Sequence, residues 1–264
     1  MSRLEFDFEP LNKVLDGKEV TKDEAHEIFL HSEYNSEKIF KVASNLRDQH
    51  KGKVVSFSKK AFFNIVNLCR DTCSYCTYKA EMGESKLSMM NIGDVKNLAK
   101  SAAKLRCVEA LLVTGESPEQ KYDEAAKWLR KNGFSSTGEY LAHCSELVLA
   151  EGLFPHTNAG NLNKSEMSEL KKTNVSMGLM LENSSHRLSE KGMPHHDAPS
   201  KDPKARIQIL KNAGELKIPM TTGILVGIGE NDHEIIDSLF TIKKLHEQFE
   251  NIQEVILQNF EPKQ

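Results

Sequence analysis

Three cysteines within eight positions are the residues of this sequence best suited to do chemistry. Cys69, Cys73 and Cys76 lie in the segment NLCRDTCSYCTYK, residues 67–79, while Cys107 and Cys144 lie far downstream. Thiolates are the preferred protein ligands of iron–sulfur clusters and of soft metal ions. The clustering at spacings of four and three therefore indicates a metal centre built on this segment.

Three simpler explanations compete for the cysteine segment. Many cysteines are just small buried side chains, but the polar residues between these three are typical of a loop. A structural zinc site needs four ligands, usually in two pairs, and no histidine lies between His50 and His143. A redox dithiol of Cys73 and Cys76 leaves Cys69 unexplained. A four-iron cluster on three thiolates fits better, because one iron then keeps an open position that can bind a reactant.

The elements that must position these cysteines form an alternating pattern. Strands are predicted at AFFNIVNL, VEALLVTGE, LFPHTN, VSMGLMLE, IPMTTGILVGIG and IQEVILQNF, with amphipathic helical stretches between them. Alternation of this kind predicts a parallel sheet with right-handed crossovers, and short apolar runs suit strands buried on both faces. The first strand leads into a cysteine loop rather than a glycine-rich turn. We therefore expect an α/β fold with a partial or full (β/α) barrel, not an open dinucleotide-binding sheet.

Unusual residues follow each predicted strand. In (β/α) barrels, catalytic groups lie at the carboxyl ends of the strands, so these residues should meet on one face. In strand order they are Cys69, Gly115 with Glu116, Asn158, Glu182, residues 227–230 and Asn259.

Composition excludes several classes of function. The formal charge is −3, from 35 Lys and Arg against 38 Asp and Glu, and no basic stripe predicts a nucleic-acid partner. No apolar run approaches the roughly 18 residues of a membrane span, and the N-terminus lacks the apolar core of a signal peptide. Five cysteines, an odd number, argue against a disulfide framework. We expect a protein of a reducing cytoplasm.

The C-x-x-x-C-x-x-C loop after the first strand resembles the signature of the radical S-adenosylmethionine (SAM) superfamily. The resemblance implies that Cys69, Cys73 and Cys76 are the catalytic residues and hold a [4Fe-4S] cluster. In that superfamily the open iron chelates the amino and carboxylate groups of SAM, and the reduced cluster splits SAM to a 5′-deoxyadenosyl radical. A fourth nearby cysteine would close the reactive position.

The same resemblance implies the residues that contact SAM. They are Tyr75 and Ile228 at the adenine, Gly115 and Glu116 at the methionyl amino group, Glu182 at the ribose hydroxyls and Arg206 at the carboxylate. Each also has a plainer explanation, such as a turn, a solvated acid or a surface salt bridge. The glycines at 223, 227 and 229 form neither a dinucleotide fingerprint nor a phosphate-binding loop.

Further stretches resemble one family of the superfamily, CofG, the small subunit of 7,8-didemethyl-8-hydroxy-5-deazariboflavin (FO) synthase. They include LLVTGESPE, PHTNAGNL, SMGLMLE, SKDPKARI, MTTGILVGIGE and IQEVILQNFEPK, within residues 54–264. The resemblance implies a lyase of coenzyme F420 biosynthesis. Its substrate would be an adduct of tyrosine and 5-amino-6-ribitylaminouracil made by a CofH-type radical SAM partner subunit. Hydrogen abstraction, ring closure and loss of ammonia would follow, with reduced ferredoxin or flavodoxin as electron donor.

Polar residues at strand ends and in the segment GMPHHDAPSKDP are the candidates for gripping this substrate. They are Asn158, His195, His196, Lys201 and Asn259, and ordinary loop polarity is the competing explanation for most of them. Two other functions stay open. One is a sibling radical SAM enzyme of the biotin-synthase-like or menaquinone-pathway type, and the other is a non-enzymatic electron-transfer protein with a fully ligated cluster.

Residues 1–53 are polar and helical in pattern, and we expect an N-terminal helical extension there. Residues 54–264 would form the barrel domain. CofG proteins usually continue beyond the sixth strand, whereas this sequence stops at FEPKQ. We therefore expect a barrel that is cut short at its C-terminal end or that closes differently.

Overall fold

A parallel sheet of six strands, in the order in which they follow one another along the chain, organises the protein. The structure, a computed structural model, describes residues 8–262. The strands are β1 (Lys60–Val66), β2 (Glu109–Thr114), β3 (Phe154–Asn158), β4 (Ser176–Gly178), β5 (Met220–Val226) and β6 (Ile252–Asn259). The helices are α1 (Glu9–Leu15), α2 (Lys22–Leu30), α3 (Ser32–Lys51), α4 (Ile92–Lys104), α5 (Asp123–Lys131), α6 (Thr137–Ala150), α7 (Lys164–Leu170), α8 (Pro203–Glu215) and α9 (Asp232–Phe249).

Side-chain caps begin several of the helices that follow strands, whereas α5 begins without one. Asn91 and Asp94 form a reciprocal capping box at the start of α4, and Asn231 and Glu234 form another at the start of α9. Asp202 accepts hydrogen bonds from two backbone N–H groups in the first turn of α8. Caps of this kind satisfy donors that a helix leaves unpaired, so each helix begins at a defined residue close to the strand ends.

The core lies between the sheet and the helices. Phe63 and Ile65 of β1 and Leu112 of β2 are fully buried. Tyr140 of α6 is buried as well, and its hydroxyl donates to the carbonyl of Met90 over 2.6 Å. This hydrogen bond satisfies the polar end of a large buried ring and joins α6 to the segment that precedes α4.

The sheet is a partial barrel. Among the described residues, β1 pairs only with β2 and β6 pairs only with β5. The predicted α/β class and the parallel sheet are confirmed. On β6, Val255, Ile256 and Leu257 are exposed.

The fourth strand is shorter than its apolar sequence predicted. VSMGLMLE indicated eight extended residues, whereas β4 covers Ser176–Gly178. The cause is local, because Glu182 adopts a left-handed backbone conformation at φ 64°. Pairing with β5 nevertheless resumes there, where the Glu182 N–H donates to the Gly223 carbonyl over 3.0 Å. The irregular stretch turns the side chain of Glu182 toward the carboxyl end of the sheet.

Helix α2 and the segment just before it contact α9 on the outside of the sheet. Lys22 forms an ion pair with Asp237, Glu19 forms one with Lys243 at 2.8 Å, and the rings of His26 and His233 lie 4.3 Å apart. The helical extension expected in residues 1–53 is present as α1–α3 within its described part, while the division into an extension and a barrel domain stays a prediction. In the part of the chain that the structure describes, every helix is too short or too polar to cross a membrane.

Candidate active site

The cysteine loop, residues 69–76, leaves β1 at the carboxyl end of the sheet. Its three cysteines are free thiols and line one cavity of about 290 Å³. The Arg70 N–H donates to the Glu116 carbonyl over 2.9 Å, which joins the loop to the end of β2. Tyr78, just after the loop, directs its hydroxyl to the carbonyls of Val66 and Val113. The loop is thus attached to the ends of both neighbouring strands.

The thiols have surroundings that suit metal-bound thiolates. The Glu116 N–H donates to the sulfur of Cys69 over 3.2 Å. Burial raises the pKa of the Cys69 thiol and raises that of Cys73 to about 11, while the nearby Lys201 lowers it. Cys69 and Cys73 therefore favour the protonated thiol when no metal is bound, and a bound metal's positive charge would reverse that preference.

The donor set fits a cluster better than a single ion. Among the described residues, no three His, Cys, Asp or Glu side chains converge closely enough to bind one metal ion. In a four-iron cluster each cysteine binds a different iron atom, so its thiols share a cavity wall without meeting at a point. Cys107 packs against the core and Cys144 is fully buried, so neither belongs to this donor set.

Gly115 is required where the end of β2 meets the cysteine loop. A Cβ at this position would lie 1.9 Å from the Leu68 carbonyl oxygen and 2.8 Å from the Cβ of Cys69. Real Cβ contacts are never that short, so only glycine allows the two segments to approach. The next residue, Glu116, is buried, and its carboxylate accepts from the Asn161 N–H over 2.9 Å.

Gly160 shapes the same corner of the cavity. A Cβ there would meet the Glu116 carboxylate at 2.0 Å, so the glycine makes room for that carboxylate. The sequence stretch PHTNAGNL contained this residue, but its role depends on a contact with Glu116, which is distant in sequence. Sequence reasoning therefore missed it.

Charged groups of opposite sign form another part of the wall of this cavity. Lys201 Nζ lies 2.6 Å from Glu182 Oε1, and both side chains are largely buried. Arg206 is buried and donates to the carbonyls of Met180 and Ser200 over 2.6 and 3.1 Å. Buried charges need partners of this kind. The guanidinium is held on the cavity wall, where it can bind an anionic group.

Two buried acceptors on the cavity wall have no hydrogen-bond partner. They are Oδ1 of Asp71 and Oγ1 of Thr114, both in residues that line the cavity. A buried polar atom left unpaired costs free energy. Both atoms are shielded from solvent, and Asp71 Oδ1 lies 3.9 Å from Arg70 Nε, so their hydrogen-bonding capacity is only partly used among the described residues.

Most residues predicted to contact cluster or SAM meet in this cavity. It is lined by Cys69, Cys73, Cys76, Tyr75, Gly115, Glu116, Glu182 and Arg206, together with the substrate candidates Asn158 and Lys201. A neighbouring cavity of about 370 Å³ shares Tyr75, Cys76, Tyr78 and Glu182 with it and is also lined by Asn259. The structure adds Asp71, Tyr78, Lys79, Gly160, Met180 and Ser200, which sequence reasoning did not select.

Three predicted residues line neither of these two cavities. Ile228 lies in the turn after β5, where its N–H donates to Glu230 over 2.9 Å. His196 is exposed, 4.0 Å from Asp197. His195 is 3% exposed, and its Nε2 is 2.9 Å from the Tyr75 hydroxyl. These placements leave His195 in contact with the cysteine loop rather than with the cavity.

Comparison with known proteins gives a consistent result. Residues 63–242 match the Radical SAM superfamily. The 7,8-didemethyl-8-hydroxy-5-deazariboflavin synthase of Methanopyrus kandleri is 44% identical over 211 residues, which are 80% of this chain and 63% of that protein. The synthase of Methanococcus vannielii is 43% identical over 245 residues, 92% of this chain and 68% of that protein. The chain therefore spans about two thirds of the length of these relatives.

Longer proteins and solved structures are similar as well. The FO synthase of Nocardia farcinica is 40% identical over 265 residues, 96% of this chain but 30% of that protein. The hydrogenase maturase HydG of Carboxydothermus hydrogenoformans superimposes with a TM-score of 0.79 at 22% identity, covering 96% of this chain and 56% of that one. Methylornithine synthase (PylB) gives 0.72 at 19% identity, covering 96% and 68%. At these identities the two structures bear on the fold alone.

Proposed function

The chain belongs to the radical SAM superfamily and, within it, to the 7,8-didemethyl-8-hydroxy-5-deazariboflavin synthases, and we propose on that basis that it closes the deazaflavin ring. The proposed substrate is the adduct of tyrosine and 5-amino-6-ribitylaminouracil. The products are FO, the deazaflavin of coenzyme F420, and ammonia. One observation carries the proposal: three free thiols line one cavity together with all the residues expected to contact SAM except Ile228.

We propose that Cys69, Cys73 and Cys76 hold a [4Fe-4S] cluster and that the rest of the cavity binds SAM. Together these cofactors supply the one-electron chemistry that removes a hydrogen atom from a C–H bond. The protein's task is then to orient the reactants and to exclude water and oxygen. A reducing compartment such as the cytoplasm would keep the three thiols available.

The charged residues of the cavity have matched roles in this proposal. The Glu116 carboxylate would accept hydrogen bonds from the amino group of SAM, and the Arg206 guanidinium would bind its carboxylate. Glu182 would contact the ribose hydroxyls. Lys201, 2.6 Å from Glu182, balances that buried charge before the ligand arrives. Lys201 can also reach an anionic or carbonyl oxygen of the substrate, because it lines the same cavity.

Two side-chain amides are the best-placed candidates for binding the substrate itself. Asn158 ends β3 and lines the first cavity, while Asn259 ends β6 and lines the second. Each amide carries both a donor and an acceptor, which suits the uracil ring and the ribityl hydroxyls of the adduct. Their separation between two adjoining cavities fits a substrate longer than a single ring.

We also propose a CofH-type partner subunit that makes the adduct, and reduced ferredoxin or flavodoxin as the electron donor. The greater length of some relatives supports the proposal of a partner subunit. This chain aligns with only 30% of the FO synthase of Nocardia farcinica, so that relative has room for a second enzymatic unit.

The test is product formation under anaerobic conditions. Reconstituted protein, a reductant, SAM, tyrosine, 5-amino-6-ribitylaminouracil and the partner subunit should yield a fluorescent deazaflavin and 5′-deoxyadenosine. The Cys69→Ala variant should yield neither, and omission of the partner should remove the deazaflavin. SAM cleavage without deazaflavin would instead indicate a sibling radical SAM enzyme. A cluster that is stable but never cleaves SAM would indicate an electron-transfer protein.

A further inference from the structure

The segment of residues 194–201, named here the bracing segment, packs along the cysteine loop. The Thr72 N–H donates to the Asp197 carbonyl over 2.7 Å, and the Ser74 N–H donates to the Pro194 carbonyl over 3.1 Å. The Ser200 hydroxyl donates to the buried carboxylate of Asp71. Tyr75 contacts His195 in the same segment.

In the cysteine loop, the residues between the cysteines hold the loop in place, while the cysteines themselves make none of these contacts with the bracing segment. Of the residues between the cysteines, Asp71, Thr72, Ser74 and Tyr75 hydrogen-bond to the bracing segment, and Arg70 bonds to the end of β2. The bracing segment thus holds the loop through the residues between its cysteines. The sulfurs remain available on the cavity side.

The contact between Tyr75 and His195 differs from the others because it joins two ring side chains. The Tyr75 hydroxyl lies 2.9 Å from His195 Nε2, and the two rings meet edge to face with centroids 5.6 Å apart. His195 is itself held, since its N–H donates to the Leu188 carbonyl over 2.9 Å. Burial lowers the pKa of His195 to about 4, so the imidazole is neutral and can pair with a neutral phenol.

Tyr75 occupies the wall between the two cavities. It lines both of them, and its ring also approaches that of Phe260, with centroids 6.2 Å apart. The rotamer of a tyrosine is selected by what its ring and its hydroxyl contact. The His195 contact is therefore one of the interactions that fix the position of this wall.

We propose that His195 is a positioning residue that holds the Tyr75 ring in the wall between the two cavities and so keeps the cysteine loop in the conformation that binds SAM. The proposal rests on the proposed function, in which Tyr75 lies beside the adenine. It differs from a direct role in substrate binding, because His195 is buried and its Nε2 already faces Tyr75. The neighbouring His196 is exposed and contacts no residue of the cysteine loop among the hydrogen bonds and ion pairs of the described chain.

The experiment is a double-mutant cycle on the anaerobically reconstituted protein. His195→Ala and Tyr75→Phe should each weaken SAM binding about tenfold, the effect of losing one buried hydrogen bond. The double variant should be no weaker than Tyr75→Phe, because that substitution already removes the contact with His195 together with the interaction of the phenol with Cys73. His195→Gln should stay within about threefold of wild type, since its amide can reach the position of Nε2. His196→Ala should leave SAM affinity unchanged.

A second measurement does not depend on SAM. Hydrogen–deuterium exchange of the peptide covering residues 69–79 should be faster in His195→Ala and Tyr75→Phe, and close to wild type in His195→Gln and His196→Ala. The proposal is overturned if the two losses of SAM affinity multiply in the double variant. It is also overturned if SAM affinity and deuterium exchange are unchanged in both single variants.

Two further outcomes separate this proposal from the proposed function. If His195→Ala loses its iron, His195→Gln must keep it and restore SAM binding, or the positioning role is wrong. If the wild-type protein holds its cluster but does not bind SAM, the proposed function fails. The exchange measurement then decides alone whether His195 holds the cysteine loop.

Discussion

At the scale of single residues, the five cysteines have contrasting surroundings. Three line a cavity beside charged groups, whereas Cys144 is fully buried next to Tyr140 and Cys107 packs against the core. Burial raises the pKa of Cys144 to about 12, so it stays a protonated thiol. Such a thiol is a small apolar side chain rather than a metal ligand.

We therefore predict different results from replacing each class of cysteine by Ala. Cys69→Ala, Cys73→Ala or Cys76→Ala should each remove iron and the visible absorbance, because each thiolate holds its own iron atom. Cys107→Ala should retain both. Cys144→Ala should also retain both and lose only stability, by about 1 kcal/mol for a small cavity. Iron analysis and absorbance after anaerobic reconstitution measure this, and loss of the cluster in either control would refute the three-ligand site.

A second residue-scale prediction concerns the charged groups of the cavity. Glu116→Gln and Arg206→Lys should keep the cluster but weaken SAM binding, because each disturbs a charge-assisted hydrogen bond worth about 1.5–3 kcal/mol. Calorimetric titration of the reconstituted protein with SAM measures the affinity. Glu146→Gln on α6, outside the cavity, is the control. Full SAM affinity in both variants would show that these two charges serve only the fold.

The residues of the site differ in how visible they are in the sequence. Cys69, Glu116 and Asn158 stand directly after apolar strands, so the barrel rule predicted that they would share one face. His195 carried no such signal, since its partner Tyr75 is 120 residues away and its loop has no periodicity. A contact between two loops depends on how the chain folds around the sheet. Local pattern does not contain that information.

At the scale of elements, the same contrast separates strands from their connections. Apolar runs and helical periodicity predicted the six strands and their alternation with helices. The length of β4 was wrong, because residues 179–182 have the composition of a strand but bend at the left-handed Glu182. The short 3₁₀ turns at His186–Ser189 and Pro199–Lys201 were not predicted. They depend on tertiary contacts such as the one between Arg187 and Glu234.

That contact gives a pH prediction for the start of α9. Hydrogen bonds from Arg187 lower the pKa of Glu234 to about 2, although burial opposes the shift. A carboxyl whose pKa is lower in the folded state stabilises the fold above its unfolded pKa and loses that effect as the pH falls. The free energy of unfolding should thus fall between about pH 4.5 and pH 2.

The measurement is a set of urea unfolding curves across this pH range. Glu234→Gln should show a shallower decrease than wild type, because the amide keeps the capping position but does not titrate. Arg187→Ala should also flatten the decrease, since it removes the group that lowers the carboxyl pKa. Equal slopes in all three proteins would mean that the ion pair is too solvated to affect stability.

At the scale of the whole molecule, the barrel core and the N-terminal helices differ in what holds them. The sheet and its helices share one buried apolar cluster. In α1–α3, by contrast, only Pro10, Leu11 and Val42 are buried, and α2 has no buried residue. Exposed ion pairs such as Glu19 with Lys243 make up part of their contact with α9. Few buried apolar contacts imply a low free energy of local opening.

We predict that α1–α3 open independently of the barrel. Their backbone amides should exchange with deuterium roughly a hundredfold faster than those of β2 and β5, whose opening requires disruption of the core.

Raising sodium chloride to about 1 M shortens the screening length to about 3 Å. Exchange in α2 should then accelerate further, while exchange in β5 should not change. Leu112→Ala in β2 is the control, because a cavity in the barrel core should speed exchange in the strands by a large factor and leave exchange in α2 unchanged. Equal protection of α2 and β5 at low salt would show instead that the helices and the barrel unfold as one cooperative unit, and the proposed boundary near residue 53 would be wrong.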